Sequence, residues 1–139
     1  MHPYFAETPY IRSLLKKIAD AGLSVPDGFT DSSIEMLRGC YNGVGPAQWS
    51  HRFRKIVTWL LDWFEPEALI HDWEFTCAAK NYMAFTKANL RLLFNGVKYA
   101  LFTYRHISIS GVIKQSCKAA LLAILCQLFG WQGYKKENI

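Results

Sequence analysis

His71 and Asp72 stand side by side inside ALIHDWEF, a largely apolar and aromatic stretch. Burying either group without a partner is costly, so the pair either lies on the outer face of a helix or performs chemistry. Upstream, Tyr41, Gly43 and Gly45 have the spacing Y-x-G-x-G, which lets the backbone fold tightly and turn carbonyl oxygens toward one point. Loop carbonyls and one carboxylate form a partial ligand set for a hard cation such as calcium, which takes about six to eight oxygens. Asp72 can supply that carboxylate. His71 would then stand beside the metal with a ring nitrogen able to take a proton from water.

These residues resemble the calcium loop and catalytic helix of phospholipase A2, above all the compact domains of parvovirus capsid proteins and of short phage and bacterial proteins. The likeness rests on Tyr41 to Gly45, on G-P-x-x-W at Gly45, Pro46 and Trp49, and on F-E-P-x-x-x-I-H-D at Phe64, Glu65, Pro66, Ile70, His71 and Asp72. It continues in F-T-K-A-N-L-R, Phe85 to Arg91, which is similar to a family pattern whose aspartate orients the histidine; Asn89 occupies that position. The resemblance covers Cys40 to Phe94. It implies calcium-dependent hydrolysis of the sn-2 ester of phospholipids, with His71 as general base and Asn89 in the supporting position. Tyr41, Gly43, Gly45 and Asp72 would hold the metal. Two departures fall beside the histidine: Asn89 replaces the aspartate, and Phe75 replaces the family's tyrosine. In a Ser-His-Asp triad the Asp-to-Asn change lowers the rate about 10⁴-fold. The alternative reading is therefore a catalytically weak or inactive domain of the same architecture, used to bind a membrane, nucleic acid or another protein.

The elements that must position these groups read as helices. Ile11, Leu14, Leu15 and Ile18 predict a helix from about Pro9, stopped by Gly22. Asp31 is the expected N-cap of a short helix through Met36 and Leu37. CYNGVGPAQWS reads as a loop, and RFRKIVTWLLDWF as a short helix or irregular apolar segment. Glu65 and Pro66 open the helix of the His-Asp pair, with Leu69, Ile70, Trp73 and Cys77 on one side and His71, Asp72 and Phe75 on the other. The next helix is expected from Tyr82 to about Phe94, or to Phe102 with Gly96 inside it; Asn81 and Asn95 read as helix ends. A last helix starts near Ser108 or Ser110 and ends at Gly130. Its apolar part, Lys118 to Gly130, is about 20 Å long, too short for a bilayer core of about 30 Å, so a buried central helix is expected, with an oligomer contact or a membrane-lying face as the second reading. The expected fold is all-α, one domain over residues 1–139: a phospholipase A2-like core with two antiparallel helices carrying the site, plus an apolar C-terminal helix. At most a small hairpin fits near Tyr104 to Ile109.

Composition bounds the partners. With 51% hydrophobic residues the chain has ample core material, and disorder is excluded. Cys40, Cys77, Cys117 and Cys126 lack metal-like spacing and read as buried free thiols. His2, His51 and His106 are scattered, and Trp49, Trp59, Trp63 and Trp73 read as core before substrate pocket. Up to Phe75 there are seven basic against ten acidic side chains, whereas beyond it nine basic residues face Glu137 alone. Such a field attracts phosphate on a membrane surface or on nucleic acid, or simply forms a solvated face, and composition does not choose among these. The resemblance implies a phospholipid or anionic membrane surface as partner, with nucleic acid less favoured and self-association through the last helix a third. The opening MHPYFAETPY lacks the pattern of a secretory signal, so synthesis in the cytoplasm is expected.

Overall fold

Ile11, Leu14, Ile18 and Ala21 recur at helical spacing and become the buried stripe of α1, Thr8–Ala21. The computed structural model describes residues 7–41, 52, 56, 59 and 63–136; Gly43, Gly45, Pro46 and Trp49, His2, His51 and most of RFRKIVTWLLDWF lie outside them. Gly22 ends α1 in the left-handed region at φ 63°, where its amide donates to Ala19 and that of Leu23 to Ile18. Helix α2, Ile34–Cys40, is capped by Ser33, whose hydroxyl accepts from the Met36 amide; Asp31, the expected cap, lies two residues too early.

Helix α3, Glu65–Cys77, carries Pro66 in its first turn, as expected. Helices α4, Tyr82–Tyr104, and α5, Ile109–Phe129, follow, and α6, Trp131–Lys136, ends the described chain. Among the described residues there is no strand, and Tyr104 to Ile109 is a turn between two helices, not a hairpin of strands. The all-α expectation holds to that extent.

Helix α3 is the hub. Its Leu69, Ile70 and Trp73 join Ile11, Leu14 and Leu37 in one apolar cluster, and its Phe75 joins Phe85, Ala88 and Tyr134 in another. Every residue from Pro66 to Phe75 is buried except Asp72. Both sides of the helix are covered, so His71 and Phe75 are buried as well as Leu69, Ile70 and Trp73, because α4 packs on the side that carries them. Phe64 lies near Gly96, His71 meets Asn89 and Phe75 packs on Phe85, so α3 and α4 run antiparallel.

Among the described helices the α4–α5 pairing is the most extensive. It is close because Gly96 and Ala119 oppose each other: a Cβ on Gly96 would stand 2.5 Å from that of Ala119. Asn81 caps α4, accepting from the Ala84 amide. Asn95 is no helix end. It is buried inside α4, where its side chain accepts from the Ser24 amide and donates to the Ser24 carbonyl, both at 2.8 Å.

Helix α5 begins after Ser108 and ends before Gly130, as its sequence suggested, but it is not a buried central helix. Ile109, Ile113, Leu121, Ile124 and Leu128 are exposed. Taken over its full 21 residues it is the one helix among those described that is long and apolar enough to cross a membrane, and only 28% of its most apolar stretch is buried. The shorter length inferred from Lys118 onward omitted its first two and a half turns.

Candidate functional site

His71 and Asn89 meet across α3 and α4 with Nε2 and Oδ1 2.8 Å apart. Both side chains are buried, so the contact replaces water for each of them. Burial lowers the imidazole pKa to about 4, with the Asn89 hydrogen bond opposing the drop. At neutral pH the ring is therefore uncharged and has one lone pair. The Phe75 ring lies against it at 4.3 Å between centroids and offers no hydroxyl.

Which nitrogen carries the lone pair follows from the groups behind Asn89. Its Nδ2 donates to Gln127 Oε1 at 2.7 Å, which turns Oδ1 toward the imidazole. Gln127 Nε2 donates in turn to the Tyr82 and Thr86 hydroxyls, each at 3.0 Å. With the amides in this orientation His71 donates from Nε2–H, and Nδ1 is the atom able to take a proton. Gln127, Tyr82 and Thr86 escaped the sequence reading. The available signal was small: Gln127 is the one amide in the otherwise apolar AALLAILCQLFG.

Asp72 points elsewhere and is half-buried. Burial raises the Tyr41 phenol far above its usual value, and the Asp72 charge adds to this. Burial likewise lifts the Cys40 thiol to about 11 and the Cys126 thiol to about 12, again with an Asp72 contribution. Its charge therefore lies near the end of α2, where the Y-x-G-x-G run begins, and near α5. Among the described residues no cluster of three or more His, Cys, Asp or Glu is assembled. A site of backbone carbonyls and one carboxylate needs no such cluster, and the half-buried Asp72 near the end of α2 is chemically suited to be that carboxylate. Gly43 and Gly45 lie outside the described residues.

The surroundings are held by charge and by rings. Arg91 forms an ion pair with Glu74 across α3 and α4; burial pushes the Glu74 carboxyl up to about 7, with Arg91 opposing. Trp73 is core, its indole donating to Ser32 Oγ at 2.7 Å, and Trp63 is half-buried against Tyr99 and Tyr104. Trp59 is exposed. Cys40 and Cys126 are buried free thiols as expected, Cys77 is half-buried and Cys117 exposed. His106 is exposed and takes no part. A hollow of about 290 Å³ between α4 and α5 is lined by Leu90, Leu93, Ala120 and Ile124 and reaches Asn89 and Gln127, but not His71.

Compared with protein-family models, with curated proteins and with solved structures, the chain matches none of them.

Proposed function

We propose that the chain is a phospholipase A2-like domain that hydrolyses the sn-2 ester of phospholipids with calcium. The observation that carries this reading is the His71 Nε2–Asn89 Oδ1 contact of 2.8 Å between antiparallel helices, with Asp72 one residue on, its charge acting on Tyr41. Nδ1 of His71 accepts the proton of the attacking water, and Asn89 holds the ring so that this nitrogen stays unprotonated. Asp72 and the backbone carbonyls of Tyr41, Gly43 and Gly45 would hold calcium, which when bound polarises the ester carbonyl and stabilises negative charge on its oxygen. A base with a pKa near 4 is ready at neutral pH but weak, and Asn89 brings no charge to stabilise the imidazolium. Slow turnover follows.

A second reading shares this weakness as its support. The architecture is kept as a binding module, and the site no longer turns over lipid. Release of fatty acid from phosphatidylglycerol vesicles, with calcium and with chelator, separates the two. Calcium-dependent release by the native chain that is lost in His71→Gln, with melting retained, supports the enzyme. Release only after Asn89→Asp supports the module with a lapsed site. No release from native chain or Asn89→Asp sinks the hydrolase.

A further inference from the structure

Exposed apolar side chains on α4 and α5 fall on one side of the hairpin. On α4, Met83, Leu90, Phe94 and Leu101 recur at helical spacing and are exposed; on α5, Ile109, Ile113, Ile124 and Leu128 do the same. Leu90 of one row and Ile124 of the other line the same hollow, with Leu93 and Ala120 between them, so the rows meet across the helix seam. Ile109 is 75% and Leu128 66% exposed, which is far from the scattered single apolar residues of an ordinary surface.

The edges of this surface are cationic. Lys87, Lys98 and Arg105 lie one step around α4 from the apolar row, and Lys114 and Lys118 lie one step around α5 on the opposite edge. Between Thr76 and Lys136 the chain contains no Asp or Glu at all. At the α4 edge, Lys87 and Arg91 share a hollow of about 250 Å³ with Leu90, Phe94 and Ser24, a place where a cation and apolar carbon are presented together. Lys118 lies over the exposed Trp59 ring at 4.3 Å, adding an amphipathic ring to the α5 edge.

We propose that this α4–α5 face docks on an anionic lipid bilayer, with both helices lying in the plane of the interface. An apolar centre that enters the headgroup boundary, flanked by lysines and arginines that reach to phosphate, is the chemistry of an interfacial helix pair. A second copy of the chain fits less well, because a two-fold contact sets each cationic edge against a like one with no acidic residue to offset it. Nucleic acid would leave the apolar rows without a counterpart, since its interfaces are polar. The proposal goes beyond ester hydrolysis and stands without it.

The test is sedimentation of the full chain with vesicles in chelator, so that calcium and turnover play no part. Vesicles of equimolar phosphatidylglycerol and phosphatidylcholine should carry the chain down, and phosphatidylcholine alone much less. Ile113→Glu and Ile124→Glu, both at exposed positions, should each weaken binding by about tenfold or more, the scale of an isoleucine's burial. Lys98→Gln and Arg105→Gln should each cost about fivefold. Met36→Glu, exposed on α2, and His71→Gln should leave binding unchanged, which separates this surface from the hydrolytic site. Binding that ignores both isoleucine substitutions overturns the proposal. So does a lipid-free dimer that either isoleucine substitution dissociates, binding that resists alkaline carbonate extraction as a spanning helix would, or capture of duplex DNA lost in the same variants.

Discussion

His71 depends on two uncharged amides, and that choice sets both its tautomer and its strength. Asn89 can present either oxygen or nitrogen to the ring, whereas an aspartate can only accept; in this structure Gln127 Oε1 accepts from the Asn89 amide and leaves Oδ1 for the imidazole. Gln127→Leu should therefore let the Asn89 amide turn, and ¹⁵N chemical shifts of the His71 ring should move from the Nε2–H form toward a mixture. An unchanged spectrum would refute the role given to Gln127. In Asn89→Asp, the Tyr82 and Thr86 hydroxyls can donate to a flipped Gln127, so the new carboxylate remains satisfied. Its charge should raise the His71 pKa from about 4 by roughly one to three units. Titration of the ring by NMR reads this without any assay of turnover. His71 and Asn89 were paired in advance only by the resemblance of Phe85 to Arg91 to a family pattern, and Gln127 by nothing at all, because nothing local shows that α5 returns to the back of Asn89.

At the scale of elements, the helices follow from local pattern and their faces do not. Gly22, Ser108 and Asn81 punctuate helices in ways their residue types announce. Asn95 has the same chemistry as Asn81 yet lies within a helix, since its hydrogen-bond partner is the Ser24 backbone brought from the other end of the fold. Asn95→Ala strips both partners from that buried backbone. It should destabilise the protein by about 2–4 kcal/mol in denaturant unfolding, and a change below about 0.5 kcal/mol would show that water replaces the amide. Gly96 has no such local role either: it is small because Ala119 of α5 touches that side of α4.

Over the whole molecule, acidic groups gather around α3 while α4 and α5 are cationic, and burial makes part of that acidity unfavourable. Glu67 is buried with no other residue hydrogen-bonded to its carboxylate oxygens, and burial lifts its pKa to about 8, its own backbone amide and then Lys17 opposing. A carboxyl whose folded pKa exceeds its unfolded value holds a proton that the unfolded chain has released. Its stability contribution is full below about pH 4.5 and is lost as pH rises toward about 8. Glu74 acts in the same direction up to about pH 7, whereas His71, with its lowered pKa, costs stability as pH falls from about 6.5 toward 4. Glu67→Gln should match the native chain near pH 5 and exceed it by pH 8, by on the order of a few kcal/mol at about 1.4 kcal/mol per pKa unit. A stability difference that does not vary with pH would show that Glu67 does not titrate in the folded protein.

Helix positions, the all-α class, the adjacency of His71 and Asp72 and the cationic second half were written in the chain, because periodicity, caps and charge act within a few residues of one another. Tertiary structure alone decided which side of each helix is covered. It buried His71 under α4, brought Gln127 behind Asn89, enclosed Glu67 without a partner and left the apolar rows of α4 and α5 facing outward. A helix bears side chains all around its axis, and only the neighbours that pack against it determine which of them lose water.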